Sequence, residues 1–153
     1  MTSALTIRPL QPQDYAAWRV LWDDYNAFYG RSGPTALAEN ITETTWQRLL
    51  NANEPVHGLV AESAGAIVGM THHVFHRSTT RLMDVCYLHD LYTLPHLRGQ
   101  GIGRRLIEAV YEAARQLGSS RVYWTTKPGN AAARILYDKV AKDVGFMIYS
   151  QEI

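Results

Sequence analysis

Cys86 is the only cysteine in the chain. No disulfide can form within it, and a reducing compartment, the cytoplasm, is where such a chain is expected. Cys86 stands among strand-forming residues and reads as a small buried hydrophobe. No apolar run approaches the roughly 18 residues of a membrane span, and Met1–Leu10 shows no basic-then-apolar leader pattern; a soluble protein is expected. Neither charge sign dominates: 15 basic and 14 acidic residues leave +1 overall, with no long block of either. A duplex-DNA binder relies on a basic face and a polybasic anchor on a basic cluster, so neither nucleic acid nor a membrane is an expected partner. Repeats, low-complexity tracts and linkers are also missing. What remains is a globular composition, 46% apolar and 19% charged over 153 residues. That is long enough for one domain, residues 1–153, with a real core.

Periodicity predicts the elements. Leu5–Arg8 reads as a short strand closed by Pro9. Pro12–Tyr29 reads as a helix, with Tyr15, Trp18, Trp22, Tyr25 and Tyr29 at steps of three and four on one face. Gly30, Gly33 and Pro34 break it. A second helix is expected from an Asn40/Glu43 capping box to about Leu50. Val56–Ser63 and Ala66–His76 flank the turn Ala64-Gly65, and Leu82–Thr93 is a third strand stopped by Pro95. Gly103–Leu117 carries an apolar helical face (Leu106, Ile107, Val110, Ala114) and is ended by Gly118. Arg121–Thr126 reads as a strand, Ala131–Ala141 as a helix and Phe146–Gln151 as a closing strand. Three successive strands suggest an antiparallel meander, whereas the later strand–helix–strand unit needs a parallel crossover. The expected fold class is α+β: a mixed, mostly antiparallel sheet of about six to seven strands flanked by four helices.

The segment Pro95-His-Leu-Arg-Gly-Gln-Gly-Ile-Gly-Arg104 joins a strand to a helix. There a chain can aim free backbone N–H groups and the positive end of a helix dipole at an anion. Gly99, Gly101 and Gly103 clear the side chains from that approach, while Arg98, Arg104 and Arg105 add positive charge. A Walker loop would need Lys-Ser/Thr after the last glycine, and a dinucleotide fingerprint would need G-x-G-x-x-G with a later acid. Neither is present.

The pattern R-x-x-G-x-G of Arg98, Gly101 and Gly103, after Leu91-Tyr-Thr-Leu-Pro95, resembles the coenzyme A signature of the GNAT N-acetyltransferase superfamily. Asn130, Ala133, Leu136-Tyr137 and Gly145-Phe146 resemble its second signature. Within the family the likeness is to diamine and spermidine/spermine acetyltransferases and to bacterial histone-acetyltransferase-like members. The resemblance implies acetyl-coenzyme A as cosubstrate, a homodimer and no metal. It implies that the backbone of Leu91, Tyr92 and Thr93 pairs with the pantetheine arm. The pyrophosphate would rest on the segment Arg98, Gly99, Gln100, Gly101, Ile102, Gly103, Arg104. Asn130 and Ala133 would line the arm, and Tyr137 would stand beside the thiol sulfur.

Acetyl transfer to an amine needs a neutral nucleophile, and an alkylammonium with a pKa near 10.4 costs about 4–5 kcal/mol to deprotonate at pH 7. The leaving thiolate must also be stabilised. Tyr137, a phenol protonated at neutral pH, is the candidate general acid. His89 is the candidate base, directly or through a water, at a position where the polyamine enzymes carry glutamate. Asp90 alternates to the other side of an ideal strand, so both can face one site only across a bulge. The first helices wall the acceptor site in this family, which makes Trp22, Asp23 and Tyr25, with His89 and Asp90, the candidate acceptor contacts. The loop Arg31–Glu39 is expected on the same side. His72, His73 and His76 invite a metal reading, but on a strand His72 and His76 stand about 13 Å apart at ~3.3 Å per residue, beyond one ion's reach. The expected activity is N-acetylation of a small amine, polyamine or lysine-like acceptor. The alternatives are a non-catalytic acyl-coenzyme A sensor and a protein-lysine acetyltransferase.

Overall fold

In the computed structural model, which describes residues 4–153, the alternating runs pair as the predicted meander. The sheet holds β1 (Leu5–Pro9), β2 (Val56–Ser63), β3 (Ala66–His76), β4 (Val85–Thr93) and β5 (Val122–Tyr123), neighbours in that order. The first four strands are antiparallel, and β5 joins β4 in parallel. Ala64 and Gly65, with φ of 52° and 76°, make the tight turn between β2 and β3, the twist-compatible geometry for a hairpin.

Four α-helices cover the faces: α1 (Tyr15–Phe28), α2 (Glu39–Leu50), α3 (Ile102–Gln116) and α4 (Ala131–Val140). The aromatic stripe of α1 is core over most of its length. Trp18, Leu21, Trp22 and Tyr25 pack with Leu49 of α2 on Val60, Met70 and Tyr92 of the sheet. On the other face Leu106, Ile107 and Val110 of α3 are fully buried, packing on Ala61, Val68, Phe75, Cys86 and Leu88. Losing a side chain such as Trp18 would cost about 3–5 kcal/mol. No helix among the described residues is long and apolar enough to cross a membrane.

Several expected boundaries move. The sheet has five strands rather than six to seven. Arg121–Thr126 shortens to Val122–Tyr123, because Trp124 packs edge-on against Tyr137 of α4 and stacks on Tyr111 of α3, taking the chain away from β4. Phe146–Gln151 forms no strand. Its residues suit one, but the two-residue β5 offers too short an edge for it to pair with, and Phe146 and Tyr149 stand almost wholly exposed. The third long strand begins at Val85 rather than Leu82, after Asp84 pairs with Arg77. Helix α2 starts at Glu39, with Ala38 as N-cap, so the Asn40/Glu43 box does not cap it. Glu39 is instead drawn to Arg19 of α1.

Candidate active site

Two strands that part company make the cleft. β5 pairs with β4 only at Cys86↔Val122 and Tyr87↔Tyr123, so from Leu88 to Thr93 the outer edge of β4 has no strand beside it. The cleft belongs to an open cavity of about 2010 Å³ that reaches α1 and α2 on one side and α4 on the other.

The register of β3 against β4 slips at this point. His72 pairs with Asp90 but His73 pairs with Leu88, leaving His89 as the extra residue. Such a bulge turns two consecutive side chains to one face. His89 and Asp90 accordingly both line the cavity, with His89 Nδ1 3.9 Å from Asp90 Oδ2. The bulge that the sequence reading needed is present.

Asp90 is buried and anchors a chain of hydrogen bonds. His72 Nδ1 lies 2.8 Å from Asp90 Oδ2, and Trp18 Nε1 lies 3.0 Å from His72 Nε2. An indole N–H can only donate, so His72 Nε2 accepts and its Nδ1–H donates to the carboxylate. Burial, the largest single influence, pushes the Asp90 carboxyl up; the hydrogen bond and charge of His72, the charge of His89 and the Tyr25 hydroxyl together outweigh it and hold the group below its ordinary 3.8. Burial, then the Asp90 charge, raises the neighbouring Tyr25 phenol. The site therefore holds an ionised carboxylate ringed by N–H and O–H donors. A buried anion of this kind favours a cationic guest.

Tyr137 faces the same cavity from α4. Burial, then the approach of Tyr29 from the end of α1, raises its phenol above the ordinary 10, so its hydroxyl keeps its proton at neutral pH. Asn130 is the N-cap of α4, its side-chain amide reaching Thr126, and Ala133 lies in the helix's first turn.

The glycine segment opens α3. Leu97 and Arg98 donate their N–H groups to the carbonyls of Leu94 and Pro95, and Arg105 donates to Gly101. Between them, from Gly99 to Arg104, the N–H groups meet no backbone acceptor among the described residues, as the first turn of a helix dictates. Gly101, the N-cap, has φ of +84°, and a Cβ built there or at Gly99 would meet nothing within 4 Å. That open array of donors fits a pyrophosphate. The arginines are partly occupied: Arg98 Nε donates to Thr93 O, Arg104 to Glu108, and Arg105 to Leu5 O.

The structure thus brings His89, Asp90, Tyr25, Trp22 and Tyr137 to one cavity, beside the free edge of Leu91–Thr93. It does not bring Asp23, which is exposed and paired with Arg19, and the expected coenzyme contacts Leu91–Thr93, Arg98–Arg104, Asn130 and Ala133 do not line that cavity. Sequence reading missed His72, whose side chain faces Asp90 while His73 turns to the opposite face beside His57 and Phe75. Of the expected acceptor loop Arg31–Glu39, Arg31 and Leu37 reach the cavity, and Tyr29, read only as part of the aromatic stripe, lines it as well. No cluster of three metal-ligating side chains occurs among the described residues.

The comparisons with known proteins agree with this fold. The acetyltransferase (GNAT) family profile matches residues 15–141. The chain is 32% identical to the D-amino-acid N-acetyltransferase HPA3 of Saccharomyces cerevisiae, over 96% of this chain and 90% of that one. It is 31% identical to the N-acetyltransferase YhfO of Bacillus subtilis, over 95% of each. Among solved structures it superposes on the aminoglycoside acetyltransferase AAC(6')-Iy, in complex with a coenzyme A bisubstrate analogue, with a TM-score of 0.83. The identity there is 17% and 99% of each chain is covered. The chain belongs to the GNAT acetyltransferase family and is an N-acetyltransferase.

Proposed function

We propose that this enzyme transfers the acetyl group of acetyl-coenzyme A to a primary amine by direct attack in a ternary complex. The observations that carry the reading are the buried carboxylate of Asp90 in the cavity, the unpaired edge of β4 that continues from it, and the array of unpaired N–H groups that opens α3. The edge Leu91–Thr93 can hydrogen-bond an extended pantetheine arm, the amides from Gly99 to Arg104 can receive the pyrophosphate, and Asp90 can hold an ammonium. The relatives' names support nitrogen as the acetylated atom: besides the D-amino-acid enzyme, a thialysine N-epsilon-acetyltransferase of Bos taurus is 36% identical over 53% of the chain.

In the reaction the amine lone pair forms a bond to the thioester carbonyl carbon, the C–S bond breaks, and a thiolate leaves. Asp90, held below its ordinary carboxylate range, binds the ammonium rather than taking its proton. His89, beside it and open to solvent, carries that proton outward. Tyr137 donates a hydrogen bond to the departing sulfur. Direct attack is favoured because Cys86 is fully buried and its thiol is pushed up to about 12 by burial, which leaves no thiolate for an acetyl-enzyme.

A panel of primary amines and matched alcohols, incubated with enzyme and acetyl-coenzyme A, tests this by product mass. N-acetylated products are expected. No transfer to any amine, with coenzyme A bound tightly, would make the chain an acyl-coenzyme A sensor.

The family analogy adds a homodimer. The exposed apolar residues Phe146–Tyr149 support it, since an exposed apolar segment can be covered by a second copy of the chain. Light scattering at micromolar concentration should give twice the chain mass, and a monomer would end the idea.

A further inference from the structure

Resting on the amine-transfer reading above, we propose that the acceptor carries a carboxylate beside its amine, as amino acids do, and that Arg31 binds this carboxylate and so selects the substrate.

Charge on the acceptor side of the cavity is what separates amine classes. A diamine or polyamine carries two or more positive charges and calls for several carboxylates. Asp90 is the one carboxylate that lines the cavity on the α1 and α2 side; Asp138 and Asp143 line it from α4 and the segment after it, and neither Asp23 nor Asp24 lines it. Two cations line the cavity from the same side, Arg31 just after α1 and Arg48 of α2. One buried anion with cations nearby is the complement of a zwitterion: ammonium to Asp90, carboxylate to an arginine. A second ammonium would instead meet like charge.

Arg31 is built for the task. Its Nε donates to Asn26 Oδ1 at 2.7 Å, and buried Asn26 is itself fixed by an Nδ2 bond to the carbonyl of Trp22. Its backbone N–H also returns to the Asn26 carbonyl. The guanidinium carbon lies 5.4 Å from the Tyr29 ring centroid, within range of a cation–π contact. These contacts hold the planar group while its two terminal nitrogens make no hydrogen bond or ion pair among the described residues. A fixed guanidinium with two free parallel donors matches a carboxylate in two-pronged fashion. Arg31 also sits close enough for its charge to act on the Tyr25 phenol, which adjoins Asp90. The ammonium and carboxylate subsites therefore lie on neighbouring side chains. Arg48 is exposed on α2 and has no such support.

The test compares each amino acid with its own primary amide, in both enantiomers, as acceptors for wild type and for Arg31→Gln and Arg31→Lys. Coenzyme A affinity is measured alongside by calorimetry. For wild type, kcat/KM should favour the free acid by roughly 10- to 100-fold, the range for losing a charged hydrogen-bonding partner. Arg31→Gln should bring that ratio close to one, mainly through KM, and Arg31→Lys should restore part of it. Equal use of acid and amide by wild type would overturn the proposal while leaving amine acetylation intact. An Arg31→Gln variant that keeps the full preference, or that loses coenzyme A binding instead, would also overturn it, the latter making Arg31 a phosphate partner. Transfer to neither acid nor amide nor any other amine would remove the amine-transfer reading, and this proposal with it.

Discussion

Replacing Gly101 with alanine separates ligand binding from backbone strain, provided that Gly65→Ala is measured beside it. Both glycines hold positive φ, +84° and +76°, and a Cβ at either would meet nothing of the protein within 4 Å. The stability cost in each case is therefore the left-handed backbone alone, about 1–2 kcal/mol for an L-residue. For a chain of this length that lowers Tm by roughly 2–8 °C. The two positions differ in what surrounds the open space. Gly65 sits in the β2–β3 turn. The Gly101 Cα joins two of the unpaired N–H groups at the start of α3, so a methyl there occupies the volume through which an anion reaches them. Calorimetry should show coenzyme A affinity falling at least ~10-fold in Gly101→Ala, about 1.4 kcal/mol, and unchanged in Gly65→Ala. Matched Tm losses with wild-type affinity in both variants would refute the assignment of the cradle.

Tyr137→Phe should bind acetyl-coenzyme A normally and unfold within ~1 kcal/mol of wild type, while kcat falls on the order of 10²-fold; unchanged turnover in steady-state assays would make Tyr137 a packing residue. His89→Gln should lower kcat/KM while leaving coenzyme A affinity unchanged, and wild-type kcat/KM in the variant would take His89 out of the proton path. Burial, with repulsion from His57 and His72, pushes His73 from its ordinary 6.5 down to about 4, and its Nδ1 has no partner. The unfolded chain takes up that proton first, so stability complete above about pH 6.5 should be lost as pH falls through 4, about 3 kcal/mol in all. Chemical denaturation of His73→Leu should lack that part of the acid loss, and equal pH slopes in both proteins would refute it.

Much of this architecture was legible because it rests on local pattern. The steps from Trp18 to Tyr25 bury one face of α1, the Ala64-Gly65 pair turns a hairpin, and the alternating glycines around Ile102 open a helix. The parts that were not legible depend on partners distant in sequence. Whether His89 and Asp90 share a face turns on a one-residue slip against His72 and His73, and the residue types do not encode that slip. His72 was weighed only with His73 and His76 as a metal ligand because its true partners, Trp18 and Asp90, are 54 and 18 positions away. Phe146–Gln151 has the residues of a strand, but a strand also needs an edge to pair with, and within one chain β5 is too short to offer it. Asp23 looked like an acceptor contact beside Trp22, yet the next position on a helix points elsewhere, and Arg19 one turn back claims it.

The central claim is direct acetyl transfer from coenzyme A to an amine within one cleft, and initial rates over a grid of acetyl-coenzyme A and amine concentrations test it most directly. Thiol release should match N-acetylated product mole for mole, and double-reciprocal plots should intersect, as a ternary complex requires. Parallel lines, or acetylated enzyme accumulating before the amine is added, would show a covalent relay that the buried Cys86 and the geometry of Asp90, His89 and Tyr137 do not provide.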